Sequence, residues 1–307
     1  MFFFPYRLDA NTHRWPVFTL LICILCAFIY WQQYSVDREY FQALKMFCTR
    51  DLSKRELAWL NRVPTERRGN NCNFLLESIR ETGNADAEIE RLAGLTRPIK
   101  LFVSDQENRA HVERQLTDIY RKFERDVPEP LTRDLVYDPH DLNVIKMFTA
   151  TFSHGSLMHL VGNLLFFYIF AAAVEMALGS LVFLGFIVVT TLGTSLAYSY
   201  SMAGVEGALP TLGLSGVVMA AVAALGVMMP AVRIRCFFWL FVFFRIFRIP
   251  ALLLAAWYVG WDIYEINRLG NHSYVNYVAH LSGAAMGAML GIYYLVFRRE
   301  ELEKLQA

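Results

Sequence analysis

Four polar residues stand out within long apolar stretches: His159 and Asn163, Ser215, and His280. Ser215 lies in Gly213-Leu214-Ser215-Gly216. A serine hydroxyl is a weak nucleophile until a neighbouring base takes its proton. His280, the one histidine of its stretch, can take that proton and later give it to a leaving amine. The tetrahedral intermediate of such a reaction needs donors for its oxyanion. Asn163 offers a side-chain amide, His159 a ring N–H, and Ser215 its own backbone N–H at a helix start. Glycine beside the serine also lets a substrate backbone approach. His159 and Asn163 are i and i+4, on one helix face and roughly 6 Å apart along the axis.

Each of these residues also has a plainer reading. A serine in a Gly/Ala-rich helix is ordinarily a packing residue. His159 with Asn163 fits interhelical hydrogen bonding, and a membrane histidine fits a proton path. The joint placement decides between them, and it depends on the helices that carry the residues.

The 307 residues are 55% hydrophobic and only 19% charged. Between Tyr34 and Ala150 lie 39 of the 57 charged residues. A soluble domain is nearer half apolar and a quarter charged, so the pattern is that of a membrane protein with one soluble insertion. A net charge of +1 argues against a nucleic-acid partner. Spans are expected at residues 17–34, 157–178, 181–202, 211–229, 250–266 and 277–297. Residues 237–247 are interrupted by Arg245 and read as an interfacial or re-entrant piece. The first span is no signal peptide, because Ser-Val-Asp-Arg-Glu follows it rather than a small-residue cleavage site.

Lys and Arg in short flanks set orientation. With the N-terminus inside, the inner flanks hold Arg7, Arg14, Arg233, Arg235, Arg245, Arg248, Arg298, Arg299 and Lys304, against Arg268 alone in the short outer loops. Both termini are then cytoplasmic and the insertion lies outside. On this topology the spans carrying His159, Ser215 and His280 all run outside to inside, with those residues a short way below the outer surface. Charge bias and hydropathy alone thus place the four residues at one depth. Gly283, Gly287 and Gly291 form a small-residue stripe below His280, facing a partner lined by Gly216, Ala220 and Ala224.

No metal site is expected. His154 and His159 are about 140° apart on a helix, and no His-Glu-x-x-His occurs. Asp262 is the only aspartate in a span, which leaves no aspartate pair. Glu175 reads as a structural hydrogen-bonding group toward a neighbouring loop, and Ser282 as packing. In the insertion, Tyr40, Phe41, Leu44 and Phe47, then Val112, Leu116, Ile119, Tyr120 and Phe123, recur at helical spacing. Cys48 and Cys72 are either two buried thiols or a disulfide.

The motifs resemble the rhomboid family of intramembrane serine proteases. They are His154-Gly-Ser-Leu-Met-His159-Leu-Val-Gly-Asn163, Val174-Glu175 with Leu178-Gly179-Ser180, Gly213-Leu-Ser215-Gly216, and Ala279-His280 with Gly283 and Gly287. The resemblance covers roughly residues 140–298 and the first span. It departs at Ile145-Lys146, where bacterial members often carry Trp-Arg, at Met219, where an aromatic often stacks under the base, and at Ala171, where a glycine is frequent.

The resemblance implies an all-α polytopic membrane protein, a six-helix bundle with an extracytoplasmic helical insertion. The expected division is a cytoplasmic tail (1–16), the first span (17–34), the outer domain (35–140), a catalytic core with five spans (141–298) and a cytoplasmic tail (299–307). It implies a serine endopeptidase with Ser215 as nucleophile and His280 as base, a dyad without an Asp. His159, Asn163 and Gly213 then serve the oxyanion and His154 the water-accessible mouth. No cofactor or metal is implied. The substrates are transmembrane proteins in the lipid bilayer, and the setting is a bacterial inner (plasma) membrane. The alternatives are a non-catalytic relative that binds membrane clients and a proton-coupled transporter.

Overall fold

The computed structural model describes residues 2–8, 15–64, 71–96, 104–205, 207–240, 243–269, 273 and 275–298. Arg14, Arg299 and Lys304 of the inner-flank count, and the 299–307 tail, lie outside the described residues. The elements are β1 (Phe2–Leu8), α1 (Val17–Met46), a π-helical turn (Phe47–Asp51), α2 (Lys54–Leu60), α3 (Asn71–Glu81), α4 (Ala85–Leu95), α5 (Asp105–Asp126), α6 (Leu131–Leu135), α7 (Val144–Phe152), α8 (Leu157–Leu178), α9 (Ser180–Ser201), α10 (Ser215–Met228), β2 (Arg233–Leu240), β3 (Phe243–Pro250), α11 (Ala251–Leu269) and α12 (Tyr277–Phe297). The chain divides into two compact units, Met1–Gln32 with Thr132–Ala307, and Gln33–Leu131.

The first unit is a helical bundle. The helix starting at Val17, α8, α9 and α12 are each long and apolar enough to cross a membrane. At 14 residues α10 is shorter but apolar throughout. It is the central helix: Gly216 to Gly226 are all buried, the behaviour of a helix hydrophobic on every side. Its neighbour α12 comes close because it is glycine where the two meet. A Cβ on Gly283 would run into the Gly216 carbonyl oxygen, and one on Gly287 into that of Ala220. A Cβ on Gly291 would lie 2.7 Å from Val227 Cβ.

Where the structure describes the interfacial or re-entrant piece expected at 237–247, at residues 237–240 and 243–247, it is β-strand: β2 and β3 pair antiparallel, and β2 also pairs with β1 from the expected N-terminal tail. The sequence of β2 explains this. Ile234 and Cys236 are buried, alternating with Arg233 and Arg235, a period of two rather than 3.6. The fold is thus mostly helical, with one three-stranded sheet added.

Glu175 is structural, but its partner is a helix end rather than a loop. Its carboxylate accepts from Phe18 N (3.0 Å), Thr19 N (2.8 Å), Thr19 Oγ1 (2.8 Å) and Ser180 Oγ (3.1 Å). It therefore satisfies the open N–H groups at the start of α1, where a negative charge also meets the positive end of the helix dipole. Ser282 Oγ bonds back to the Val278 and Ala279 carbonyls of its own helix, consistent with packing.

The second unit has its own core of Phe47, Leu60, Leu75, Leu76, Ile79, Leu116 and Phe123. The helical stripes read from the sequence supply Phe47, Leu116 and Phe123 but leave Phe41 exposed, and Leu60, Leu75, Leu76 and Ile79 of α2 and α3 come from outside them. Capping boxes at Ser53/Glu56 and Ser104/Glu107 start α2 and α5. Arg80 lies over the Phe123 ring at 4.0 Å and donates to the Val127 and Pro128 carbonyls, closing the end of α5. Cys48 and Cys72 form a disulfide with a Cα–Cα distance of 5.9 Å, tying the π-helical turn to α3. By chain entropy, closing a loop of this length contributes about 3 kcal/mol. Cys48→Ser should accordingly remove about that much from the unfolding free energy of this unit, and reducing agent should lower the wild-type stability but not that of the variant. Chemical denaturation with and without dithiothreitol measures both.

Candidate active site

The segment before α10 is fixed on three sides. Tyr137 and Thr211 exchange backbone hydrogen bonds of 3.0 and 2.9 Å. Gly213 N donates to the Ala150 carbonyl at 2.8 Å. Asn276 Nδ2 donates to Thr211 Oγ1 at 3.1 Å, while Asn276 Oδ1 caps α12 by accepting from Ala279 N at 2.9 Å. One asparagine therefore links the approach to Ser215 with the start of the helix carrying His280. Ser215 is the first residue of α10, where backbone N–H groups have no partner within the helix.

Ser215 and His280 stand beside the first close contact between α10 and α12. A Cβ on Gly216 would lie 3.2 Å from the Ala279 carbonyl oxygen and 3.1 Å from Thr194 Cγ2. Both residues line a cavity of about 470 Å³, together with His159, Asn163 and Gly213. The structure thus brings together five of the six expected site residues at the starts of α8, α10 and α12. Among the described residues no hydrogen bond joins Ser215 to His280. Catalytic hydrogen bonds are commonly long without substrate.

The His280 ring has a different partner. Its Nδ1 lies 3.0 Å from Asp262 Oδ2, on α11. The expectation of a histidine without an acidic neighbour is therefore not met. One signal was available: an aspartate inside a span is costly unless paired, so Asp262 needed a partner. The sequence does not say that the partner is His280, because the α11–α12 packing fixes that.

The N–H of Gly213 is taken by Ala150, so it is no oxyanion donor in this arrangement. Its contribution is space: at φ +122° a Cβ would lie 2.7 Å from His159 Cε1 and 3.5 Å from Asn163 Nδ2. His154 is not at a water-accessible mouth. It is 1% exposed, with its ring edge-on to His159 at 5.2 Å between centroids. Burial, and then the neighbouring His159, push its pKa down to about 4, so it stands as a neutral ring behind His159. Asn163 is itself buried, and its Nδ2 has no hydrogen-bond partner among the described residues. An amide donor held open beside a serine suits an incoming carbonyl oxygen. Met219, at the position where an aromatic was frequent, packs with Ala223 and Ala284 one turn below His280.

Among the described residues no group of three or more His, Cys, Asp or Glu side chains is placed to hold a metal ion. A family model described as Rhomboid domain matches residues 141–297. No curated protein matches the chain. The contact geometry at the turn makes one prediction. Gly213→Ala should lower the thermal stability of the detergent-solubilised protein by about 1–3 kcal/mol, through φ strain and displacement of the His159 ring. Val205→Ala, in a loop away from the cavity, serves as the control in the same unfolding assay.

Proposed function

The chain belongs to the rhomboid family, and we propose that it is an active serine endopeptidase that cuts a peptide bond in or near the transmembrane segment of another membrane protein. The observation that carries this reading is the gathering of Ser215, His280, His159 and Asn163 around one cavity, with Ser215/Gly216 packed against Ala279/His280.

In this mechanism Ser215 Oγ attacks the scissile carbonyl carbon while His280 takes the hydroxyl proton. The carbonyl oxygen becomes an oxyanion, which accepts from Asn163 Nδ2, the His159 ring and the backbone N–H of Ser215. Collapse of the intermediate breaks the C–N bond, and His280 gives its proton to the departing amine. Water, deprotonated by the same histidine, then releases the acyl group and restores Ser215. A substrate helix must be unwound at the cut for its carbonyl to reach the cavity, which favours substrates with Gly or Pro nearby. A small residue on the acyl side of the scissile bond is what membership of the family implies.

The charge bias of the flanks orients the protein with both termini cytoplasmic and the cavity toward the outer face of a bacterial plasma membrane. The length of α10 supports a submerged site. Fourteen residues rise about 21 Å, against a hydrocarbon core of about 30 Å, so a helix ending at the inner face starts below the outer one.

Purified protein in detergent with a fluorogenic transmembrane peptide tests the proposal. Ser215→Ala and His280→Ala should each abolish cleavage while leaving the thermal unfolding profile in place. The double variant should be no worse than either, because the two groups act as a unit. Turnover by Ser215→Ala close to wild type, or none by wild type on any helical substrate, would leave a client-binding relative as the better reading. Asn163→Ala should retain cleavage at a rate about 10²–10³-fold lower, the usual worth of one oxyanion donor. A wild-type rate in that variant would remove Asn163 from the oxyanion site.

A further inference from the structure

We infer that Asp262 is a positioning residue for His280: it fixes the tautomer and orientation of the ring, so that the proton exchange between Ser215 and His280 Nε2 is supported by a third group. The inference rests on the serine-protease reading and goes beyond it by adding a group on α11. Asp262 Oδ2 lies 3.0 Å from His280 Nδ1, and the two side chains are 10% and 15% exposed.

A carboxylate can only accept, so the shared proton sits on Nδ1 of the neutral ring. The lone pair of Nε2 is then the basic site, and the ring is held in one orientation toward the cavity. When Nε2 takes the Ser215 proton, the ring becomes a cation, and the carboxylate on its far side stabilises that cation without itself being protonated. The low dielectric of an apolar bundle makes this pairing stronger than it would be in water.

The other groups around His280 do not supply this function. From α8 comes His159, a second imidazole in the same cavity. On α12 itself Tyr277 meets the ring edge-on at 6.0 Å. The residues that α9 and α10 present to the cavity are Thr194, Ser195, Ser215, Gly216 and Val217, which carry no charge. The other acidic residue of α11, Glu265, is tied to Arg268 at 2.8 Å. Asp262 is the carboxylate paired with the ring.

A strap between α11 and α12 would use the same contact, and the experiment separates the two roles. The full-length protein in detergent is compared as wild type, Ser215→Ala, Asp262→Asn and Asp262→Glu, with kcat and KM measured separately. Asp262→Asn is expected to lower kcat by about 10²–10⁴-fold with little change in KM. Asp262→Glu should recover at least tenfold of the loss.

A kcat within threefold of wild type in Asp262→Asn would overturn the inference. So would a fall in kcat with no recovery in Asp262→Glu. Nitrogen NMR of the His280 ring, recorded in the Ser215→Ala background, is independent of turnover. It should show the Nδ1–H tautomer, lost in Asp262→Asn. The Nε2–H tautomer would overturn the inference whatever the cleavage result. Failure of the protease reading looks different, because it is cleavage that does not depend on Ser215, or no cleavage at all.

Discussion

Glycine against carbonyl oxygen is the contact on which the bundle depends. Gly283 and Gly287 of α12 rest on the backbone of Gly216 and Ala220 in α10, with no room for a side chain between them. In lipid, apolar side chains gain little by leaving one hydrocarbon for another, so helices associate through close van der Waals fit and small residues. Here that fit sets more than stability. Gly216 follows Ser215 and Ala279 precedes His280, so the approach of the two backbones also fixes the separation of the two chemical groups. A methyl group inserted at Gly287 would be felt at the site as well as in the packing.

Polar groups in the same unit sit where two elements need a fixed relation. Glu175 on α8 gathers the first N–H groups of α1 and the hydroxyl of Ser180, joining three helices through one carboxylate. Asn276 serves α12 as its cap and the 211–214 segment as a donor. Asp262 joins α11 to the His280 ring. Each of these bonds is more costly to break here than at a wet surface, because an orphaned buried polar group keeps its full desolvation penalty. The site is therefore held by a few bonds that have no easy substitute.

Residues carried by strong periodic patterns were legible in the sequence. The five core helices appear at nearly the expected bounds, and α8, α9 and α12 are long and apolar enough to cross a membrane, because long apolar runs leave little choice of structure. Ser215, His280, His159 and Asn163 were placed at one depth from hydropathy and flank charge, and they line one cavity. The pairing of β2 with β3 was missed because Phe237–Phe247 is apolar apart from Arg245. Its period-two signal lies upstream, in Arg233-Ile234-Arg235-Cys236, and is four residues long. The pairing of Asp262 with His280, the use of the Gly213 N–H by Ala150 and the burial of His154 were not legible. Each depends on how two segments meet, and a single sequence records the residues but not their meeting. The disulfide stood between these cases: the residue types and compartment allowed it, and only the fold of α3 against the π-helical turn brings the two cysteines together.

The state of the hydrogen bonds around the cavity bears on what it receives. The segment leading to Ser215 uses the Gly213 N–H internally, and the carboxylate of Asp262 uses Nδ1 of His280. Asn163 Nδ2, by contrast, is buried with no protein partner among the described residues, and the start of α10 leaves its first N–H groups without helical acceptors. An open donor in an apolar bundle carries a cost of about 1–3 kcal/mol. It is offset when an acceptor enters. A peptide carbonyl is such an acceptor, and it becomes a stronger one as charge develops on its oxygen. Donors fixed in advance toward that oxygen favour the transition state over the ground state. The same donors would serve a proton path poorly, since a relay needs groups that both give and accept, and an amide N–H only gives.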